Sequence, residues 1–199
     1  FTHNLQRELK LLSIPGSALS EEHIVLIRKL TENAGQIFRW FDAERRAAYP
    51  ALTTVIRDCY FEKAIQPLID EVLDETGQVK DRASDALVEI RQQLYRKRQE
   101  LRRVFDRIVQ KLNKQGYLAD IEESFMNGRR VLAVFAEQKR MVKGVLHAES
   151  DSRRTSFIEP EETTELNNQV FSLEYEEVKE VQRILRALTE RLRVYAPLL

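Results

Sequence analysis

Two long stripes of apolar residues dominate the hydrophobic pattern of the chain. In the first, apolar side chains recur at spacings of mostly three and four residues before Gly116: Leu87, Ile90, Leu94, Leu101, Val104, Phe105, Ile108 and Leu112. In the second, they repeat close to every seven residues after Pro160: Leu166, Val170, Leu173, Val178, Val181, Leu185, Leu188, Leu192 and Tyr195. Such spacings place apolar residues on one helix face. The pattern predicts two long helices, over about 85–115 and 161–195, that pack against partner helices.

Shorter apolar patterns before the first long helix predict a helical core. Helices are expected over 3–12, 20–41, 50–58 and 66–74, separated by proline, glycine or polar residues. Ser20 and Ser84 are predicted N-caps, because a serine hydroxyl can accept a hydrogen bond from the first helical turn. Trp40, with Phe38 and Phe41, is expected to anchor the core, whereas an exposed aromatic patch there would indicate a contact surface.

The segment between the two long helices has the pattern of strands. Asn127-Gly128 is a strong hairpin signal, because a type I′ turn needs positive φ at both central residues. The runs 130–136, 142–146 and 155–158 are candidate strands. We therefore predict a mainly α fold in which a small antiparallel sheet of three or four strands is inserted between two long antiparallel arm helices. The predicted division is a helical core over 1–84, lever helices over 85–118 and 161–199, and a small β clamp-like element over 119–160.

Composition and charge agree with this fold class. Hydrophobic residues make up 43% and charged residues 32%, with only six glycines and five prolines, a balance typical of long solvated helices. The formal net charge is zero, so the whole-molecule charge does not favour any class of partner. Locally, residues 85–112 carry eight basic and four acidic side chains, whereas residues 159–180 carry one basic and eight acidic ones. Antiparallel pairing of the two long helices would place these opposite charges side by side.

Several general features bear on the compartment. The single cysteine, Cys59, excludes an internal disulfide and fits a reducing environment. No apolar run reaches the roughly 18 residues of a membrane span. We expect a cytoplasmic protein without a membrane partner. Because the chain begins without Met and ends directly after a helical pattern, we also expect it to be part of a longer protein.

Four short blocks, in this order and spacing, resemble the core and lever region of the bacterial MutS paralogues often called MutS-two. The blocks are Asn127-Gly128-Arg129, Lys143-Gly144-Val145-Leu146-His147, Phe157-Ile158-Glu159-Pro160 and Glu165-Leu166-Asn167-Asn168. The turn Asp74-Glu75-Thr76-Gly77-Gln78-Val79-Lys80-Asp81, with Ser84, is also similar to that family. The resemblance covers essentially the whole chain. Two positions depart from it, since the family usually has an aromatic residue at Arg130 and a Ser/Gly-rich turn at 152–154.

The resemblance implies a helical core and a lever that carries a reduced clamp, followed by an ABC-type ATPase domain outside this chain. It further implies that the parent is a homodimeric, ATP- and Mg-dependent clamp on branched or recombining DNA that suppresses recombination. Some members of the family act on stalled ribosomes. For this chain itself the resemblance implies no cofactor.

The residues give little support for chemistry within the chain. No G-x-x-x-x-G-K-[ST] loop is present, so we expect no nucleotide site here. His147 lies near Ser150, Asp151 and Ser152 in sequence, but a triad also needs convergent geometry and an oxyanion site, so a polar cluster beside a turn is the preferred interpretation. His3, His23 and His147 are too scattered to predict a metal site. We therefore assign no catalytic, cofactor or metal residues.

The basic residues of the predicted β element are the candidate nucleic-acid contacts: Arg129, Arg130, Lys139, Arg140, Lys143, Arg153 and Arg154. They could contact phosphates without reading sequence, although charged residues also protect exposed strand edges. Three functions stay open: a lever and clamp module on duplex or branched DNA, in mismatch repair or recombination suppression; an arm of a ribosome-associated rescue ATPase; and a purely helical scaffold.

Overall fold

The computed structural model describes residues 4–57 and 59–199. Its helices are α1 (Gln6–Ser13), α2 (Glu21–Trp40), α3 (Ala43–Ala48), α4 (Pro50–Ile56), α5 (Ile65–Val72), α6 (Asp85–Lys114) and α7 (Glu161–Arg193). The strands are β1 (Leu118–Met126), β2 (Arg129–Phe135), β3 (Gly144–Glu149) and β4 (Thr155–Pro160). A mainly α fold with a small antiparallel sheet between the two long helices is therefore confirmed. The predicted helix start at residue 3 and helix end at residue 58 lie outside the described residues.

The chain divides into two compact units, which we call the helical unit and the sheet unit. The helical unit comprises the chain up to Val88 together with Lys179–Leu199, and the sheet unit comprises Glu89–Val178. Both long helices contribute to each unit.

The core of the helical unit is formed by apolar side chains of α1, α2 and α5 packed against the first turn of α6 and the last turns of α7. Leu12, Ile24, Ile69, Leu87 and Leu192 are all fully buried in this core. Hydrogen bonds between side chains and backbone also join α7 to the segments that surround this core. The Thr189 hydroxyl accepts from the Leu19 backbone N–H at 3.0 Å, and the Arg193 guanidinium donates to the Leu12 carbonyl at 2.9 Å.

Both predicted serine caps are present. The Ser20 hydroxyl accepts from the His23 backbone N–H at 3.3 Å. The Ser84 hydroxyl accepts from the Leu87 backbone N–H at 3.0 Å and donates to the Glu180 carboxylate at 2.6 Å, which links the start of α6 to α7. A hydrogen bond from Arg183 and the one from Ser84 lower the pKa of Glu180 to about 2.

Within the sheet unit, α6 and α7 pair antiparallel as the charge pattern predicts. Arg91 and Glu177 form an ion pair at 2.7 Å, and Arg98 and Glu174 form another at 2.7 Å. Residue numbers therefore rise along α6 as they fall along α7, as in an antiparallel helix pair. Leu94, Leu101 and Val170 form a small buried cluster between the two helices. The apolar seam supplies most of the stabilisation, because exposed ion pairs contribute well under about 1 kcal/mol each.

The described sheet has the strand order β1-β2-β4-β3, with all neighbours antiparallel. The predicted turn joins β1 to β2, with positive φ at Asn127 (52°) and Gly128 (76°). After β2, residues 136–141 form a 3-10 segment that carries the chain to the far side of β4. One face packs on α6, where Phe105, Ile108 and Leu112 contact apolar residues of the strands.

The ladder between β2 and β4 ends near the start of α7. Its last pair toward α7 is Leu132 with Ile158. Continuing the same register would place Arg130 opposite Pro160, which has no backbone N–H to donate. The side-chain amide of Asn167, from the second turn of α7, lies at this position. It accepts from the Arg130 backbone N–H and donates to the Arg130 carbonyl, both at 3.4 Å.

In the helical unit, one helix was not predicted and one expectation is wrong. The short helix α3 was not predicted, because none of its six residues is buried and its sequence carries no apolar period. Trp40 does not anchor the core, since 46% of its surface is exposed. It stacks on Tyr49 with ring centroids 6.0 Å apart. Phe41, the next residue, is buried and packs edge-on against the Trp40 ring.

Among the described residues, no helix is long and apolar enough to cross a membrane.

Candidate nucleic-acid interface

A buried carboxylate organises one end of the sheet. Glu159 on β4 is 2% exposed. Its Oε1 accepts from the Arg129 guanidinium at 2.8 Å and from the Asn167 amide at 2.9 Å, and its Oε2 lies 2.7 Å from His147 Nε2. Arg129 also donates to the side-chain amide oxygen, Oδ1, of Asn168 on α7. We call Arg129, His147, Glu159, Asn167 and Asn168 the Glu159 network. It joins β2, β3 and β4 to α7, so the charge of Arg129 is neutralised inside the protein.

His147 therefore has a different environment from the one we expected. The preferred interpretation placed it in a polar cluster with the turn at 150–152. The structure places its ring against the buried Glu159 carboxylate instead. In the turn, the Ser150 and Ser152 hydroxyls lie 3.3 Å from each other. Among the described residues, no group of three or more His, Cys, Asp or Glu side chains could hold a metal ion.

Arg130 is likewise held by acidic partners. Its side chain is 13% exposed and lies 2.5 Å from Glu123 and 3.3 Å from Asp106. The guanidinium lies over the ring of the buried Phe105, 4.4 Å from its centroid. Where the family usually has an aromatic residue, this chain thus places a planar cation against an aromatic ring. Such stacking is favourable, and it reduces the charge available to a phosphate.

A second group of cations lies in the turn between β3 and β4 and in the 3-10 segment beside it. Lys139 pairs with Glu149 at 2.8 Å. The hydrogen bond from Lys139, its charge and the charge of Arg153 hold the pKa of the Glu149 carboxyl below its usual range. The Arg154 carbonyl accepts from the Ala136 backbone N–H at 2.9 Å, which brings the turn beside the 3-10 segment. We call Lys139, Arg140, Arg153 and Arg154 the turn cations; the same segments also carry three acids, Glu137, Glu149 and Asp151.

Lys143 lies apart from the turn cations. It precedes β3, and its carbonyl accepts from the Glu161 backbone N–H at 3.2 Å, at the first residue of α7. The structure therefore separates the seven predicted contacts into two groups and one single residue. Arg129 and Arg130 lie at the hairpin end with their charges paired, the turn cations lie at the opposite end, and Lys143 lies beside the start of α7. The exposed members are Arg140, Lys143, Arg153 and Arg154; within the described part of the chain, none of these four forms an ion pair.

A groove in the sheet unit was not predicted from the sequence. It lies between α6, the β1–β2 hairpin and α7, and it has a cavity volume of about 630 Å³. Leu101 and Val170 line it together with Phe125, Gln99 and Arg102. A usable signal was present, since Phe125 stands two residues before the Asn127-Gly128 turn, where an aromatic side chain has little core to enter.

Comparison with known proteins identifies the family. No protein-family profile matches the chain. It is 31% identical over 198 residues to the endonuclease MutS2 of Lactococcus lactis subsp. cremoris (strain SK11), covering 98% of this chain and 25% of that protein. It is 27% identical over 193 residues to the endonuclease MutS2 of Aquifex aeolicus (strain VF5), covering 97% of this chain and 25% of that protein. A shorter match, 35% identical over 127 residues, is found in the endonuclease MutS2 of Gemmatimonas aurantiaca, covering 64% of this chain and 16% of that protein.

The long helices with an inserted sheet, together with these relatives, define the chain as a segment of a MutS-family protein. Within that family it matches the branch named endonuclease MutS2, so the predicted resemblance is confirmed. The chain spans about a quarter of the length of the curated relatives that it matches over nearly its whole length.

Proposed function

We propose that this chain is a non-catalytic lever and clamp module of a dimeric MutS2-type ATPase that acts on duplex or branched DNA. In this proposal the sheet contacts phosphates, and α6 and α7 couple that contact to the ATP state of a domain outside the chain. The parent requires ATP and Mg, and the chain itself carries no catalytic group. The observation that supports the proposal is the exposed group of cations on the inserted sheet of a chain homologous to MutS2 proteins.

The exposed cations are suited to phosphate rather than base contacts. Arg140, Lys143, Arg153 and Arg154 lie in or beside loops, and in the part of the chain that the structure describes no helix lies between them to read bases. Contacts of this kind position a protein on nucleic acid without reading its sequence. Because the segments that carry the turn cations also carry three acids, we expect modest affinity for the isolated chain. Two subunits that grip the same DNA would raise the affinity through effective concentration.

Fluorescence anisotropy with a labelled four-way junction and a duplex, at increasing salt, tests the phosphate contacts. Replacing Arg140, Lys143, Arg153 and Arg154 by Gln should weaken binding and reduce the salt slope by about 0.9 for each lost contact. A matched control replaces four exposed cations of the helical unit, Arg7, Lys10, Lys29 and Lys63. Equal losses in the two variants, or binding that does not respond to salt, would contradict the proposal.

The coupling needs the full-length protein. There, the same fourfold Gln variant should lose stimulation of ATP hydrolysis by DNA while basal hydrolysis is retained. Loss of basal hydrolysis, or full stimulation in the variant, would count against a lever. Co-sedimentation with ribosomes without affinity for DNA junctions would favour the rescue-ATPase arm, and the absence of both kinds of binding would favour a scaffold.

A further inference from the structure

The groove beside the hairpin exposes an aromatic ring above an apolar floor. Phe125 on β1 is 68% exposed, whereas Leu101 and Val170, which line the same groove, are buried. An exposed phenyl ring beside an apolar floor offers a flat face on which another aromatic group can stack. The volume of about 630 Å³ lies within the range of about 300–1,000 Å³ that small-ligand sites occupy.

The charges of the groove single out one arginine. Three arginines and two glutamates line it. Arg98 is paired with Glu174 at 2.7 Å, and Arg130 is paired with Glu123 at 2.5 Å. Arg102 is 69% exposed, and its contact with Asp106 is long, at 3.8 Å. Arg102 is therefore the lining cation most available to an anionic ligand.

The groove lining also includes a polar side chain that suits the edge of a base, Gln99. Gln99 precedes Arg102 by three residues on α6, so both side chains lie on the same helix face. Among the described residues, the Gln99 amide makes no hydrogen bond. It can offer both a donor and an acceptor.

We propose that this groove binds one unpaired nucleotide of a single-stranded nucleic acid. The base stacks on Phe125 above Leu101 and Val170, Gln99 hydrogen-bonds its edge, and Arg102 holds its phosphate. Stacking on an aromatic ring tolerates every base and requires a base free of its duplex partner. The inference deepens the proposed function and rests on it, because it gives the clamp module a preference for unpaired segments at a site separate from the exposed cations tested above.

A tryptophan placed at the site reports stacking directly. The chain has one tryptophan, Trp40, which lies in the helical unit. In a Trp40→Phe background, Phe125→Trp creates a single fluorophore beside the groove. Oligo-dT and oligo-U should quench its fluorescence, whereas a blunt duplex of equal length should not. Quenching by both oligonucleotides shows the shared nucleotide chemistry, and quenching by one alone identifies DNA or RNA as its source.

Affinity variants measure the contribution of each group. Phe125→Ala should weaken oligo-dT binding about tenfold, the effect of losing one stacked base, while Phe125→Tyr keeps it. Arg102→Gln should reduce the salt slope for single strands by about 0.7. Tyr95→Ala is the matched control, since Tyr95 is an exposed aromatic residue on α6 that does not line the groove.

The outcomes separate this inference from the proposed function. Absence of quenching by both oligonucleotides overturns the inference, as does an equal loss in Phe125→Ala and Tyr95→Ala. An equal loss of duplex and single-strand binding in Phe125→Ala also overturns it. If the fourfold Gln variant binds duplex normally while oligo-dT still quenches the fluorophore, the proposed phosphate contacts are contradicted and the proposed nucleotide site in the groove is supported.

Discussion

Removing the carboxylate at the centre of the Glu159 network should destabilise the sheet unit far more than removing an exposed carboxylate of the same sheet. Glu159→Ala leaves Arg129, His147 and Asn167 without their shared acceptor in a site that is 2% exposed. Breaking a buried ion pair by deleting one partner costs about 3–5 kcal/mol. Because Arg129 keeps a quarter of its side-chain surface exposed and can be rehydrated, we expect about 3 kcal/mol.

Glu159→Gln should destabilise the sheet unit less than Glu159→Ala, because an amide can keep the hydrogen bonds of the network. The amide oxygen can still accept from Arg129 and Asn167, while the amide nitrogen can donate to His147 if the ring adopts the tautomer with a bare Nε2. Only the charge is then lost. Hydrogen bonds to a charged group are about twice as strong as neutral ones, so we expect a cost of about 1–2 kcal/mol.

The matched control is Glu149→Ala. Glu149 lies on the neighbouring strand and pairs with Lys139 at 2.8 Å, the same distance that separates Arg129 from Glu159. It is exposed, so its loss should destabilise the protein much less than the loss of Glu159. Urea unfolding followed by far-ultraviolet circular dichroism measures these differences, and Trp40 fluorescence follows the helical unit separately. Equal destabilisation by Glu159→Ala and Glu149→Ala would refute the assignment of stability to burial of the network.

Three further substitutions test other contacts. Phe105→Ala should cost about 4 kcal/mol in thermal unfolding, because it empties a fully buried site and removes the ring beneath Arg130. The pKa of Glu180 is lowered to about 2 from its ordinary value of 4.5. Its contribution to the free energy of unfolding, on the order of 1 kcal/mol, is therefore present above pH 4.5 and lost as the pH falls toward 2. Glu180→Gln should remove that part of the loss of stability in acid. Gly144→Ala should destabilise the sheet by more than about 2 kcal/mol, because its Cβ would overlap the Glu159 carbonyl oxygen; unchanged urea unfolding would contradict the close approach of β3 and β4.

The elements with a long apolar period could be predicted closely from the sequence. The helix expected over 85–115 is found at Asp85–Lys114, and the one expected over 161–195 is found at Glu161–Arg193. The hairpin was also predictable, since Asn127-Gly128 requires a particular backbone. The short helix α3 was not, because its six residues bury nothing and therefore leave no periodic signal.

The pairing of charges could not be predicted, because it depends on which strands are neighbours. Glu159 was counted among the acids of the second long helix, but it belongs to β4. Since β4 lies between β2 and β3, Glu159 meets both Arg129 and His147. Three of the seven candidate cations are paired with acids in this way: Arg129 with Glu159, Arg130 with Glu123 and Asp106, and Lys139 with Glu149. The groove was missed for the same reason, as its lining comes from α6, the hairpin and α7.

The amide of Asn167, which completes β2 where Pro160 cannot, also bears on the order in which the chain folds. The hairpin joins neighbours in sequence and can form as soon as β2 has left the ribosome. The backbone of Arg130, however, obtains its last two hydrogen bonds from a residue 37 positions later. During synthesis β4 can pair with residues 132–135 of β2 as soon as it emerges, whereas the backbone groups of Arg130 on that edge stay unpaired until the second turn of α7 has emerged. We expect a nascent chain that stops before Asn167 to be more readily captured by chaperones or proteases than one that extends past it.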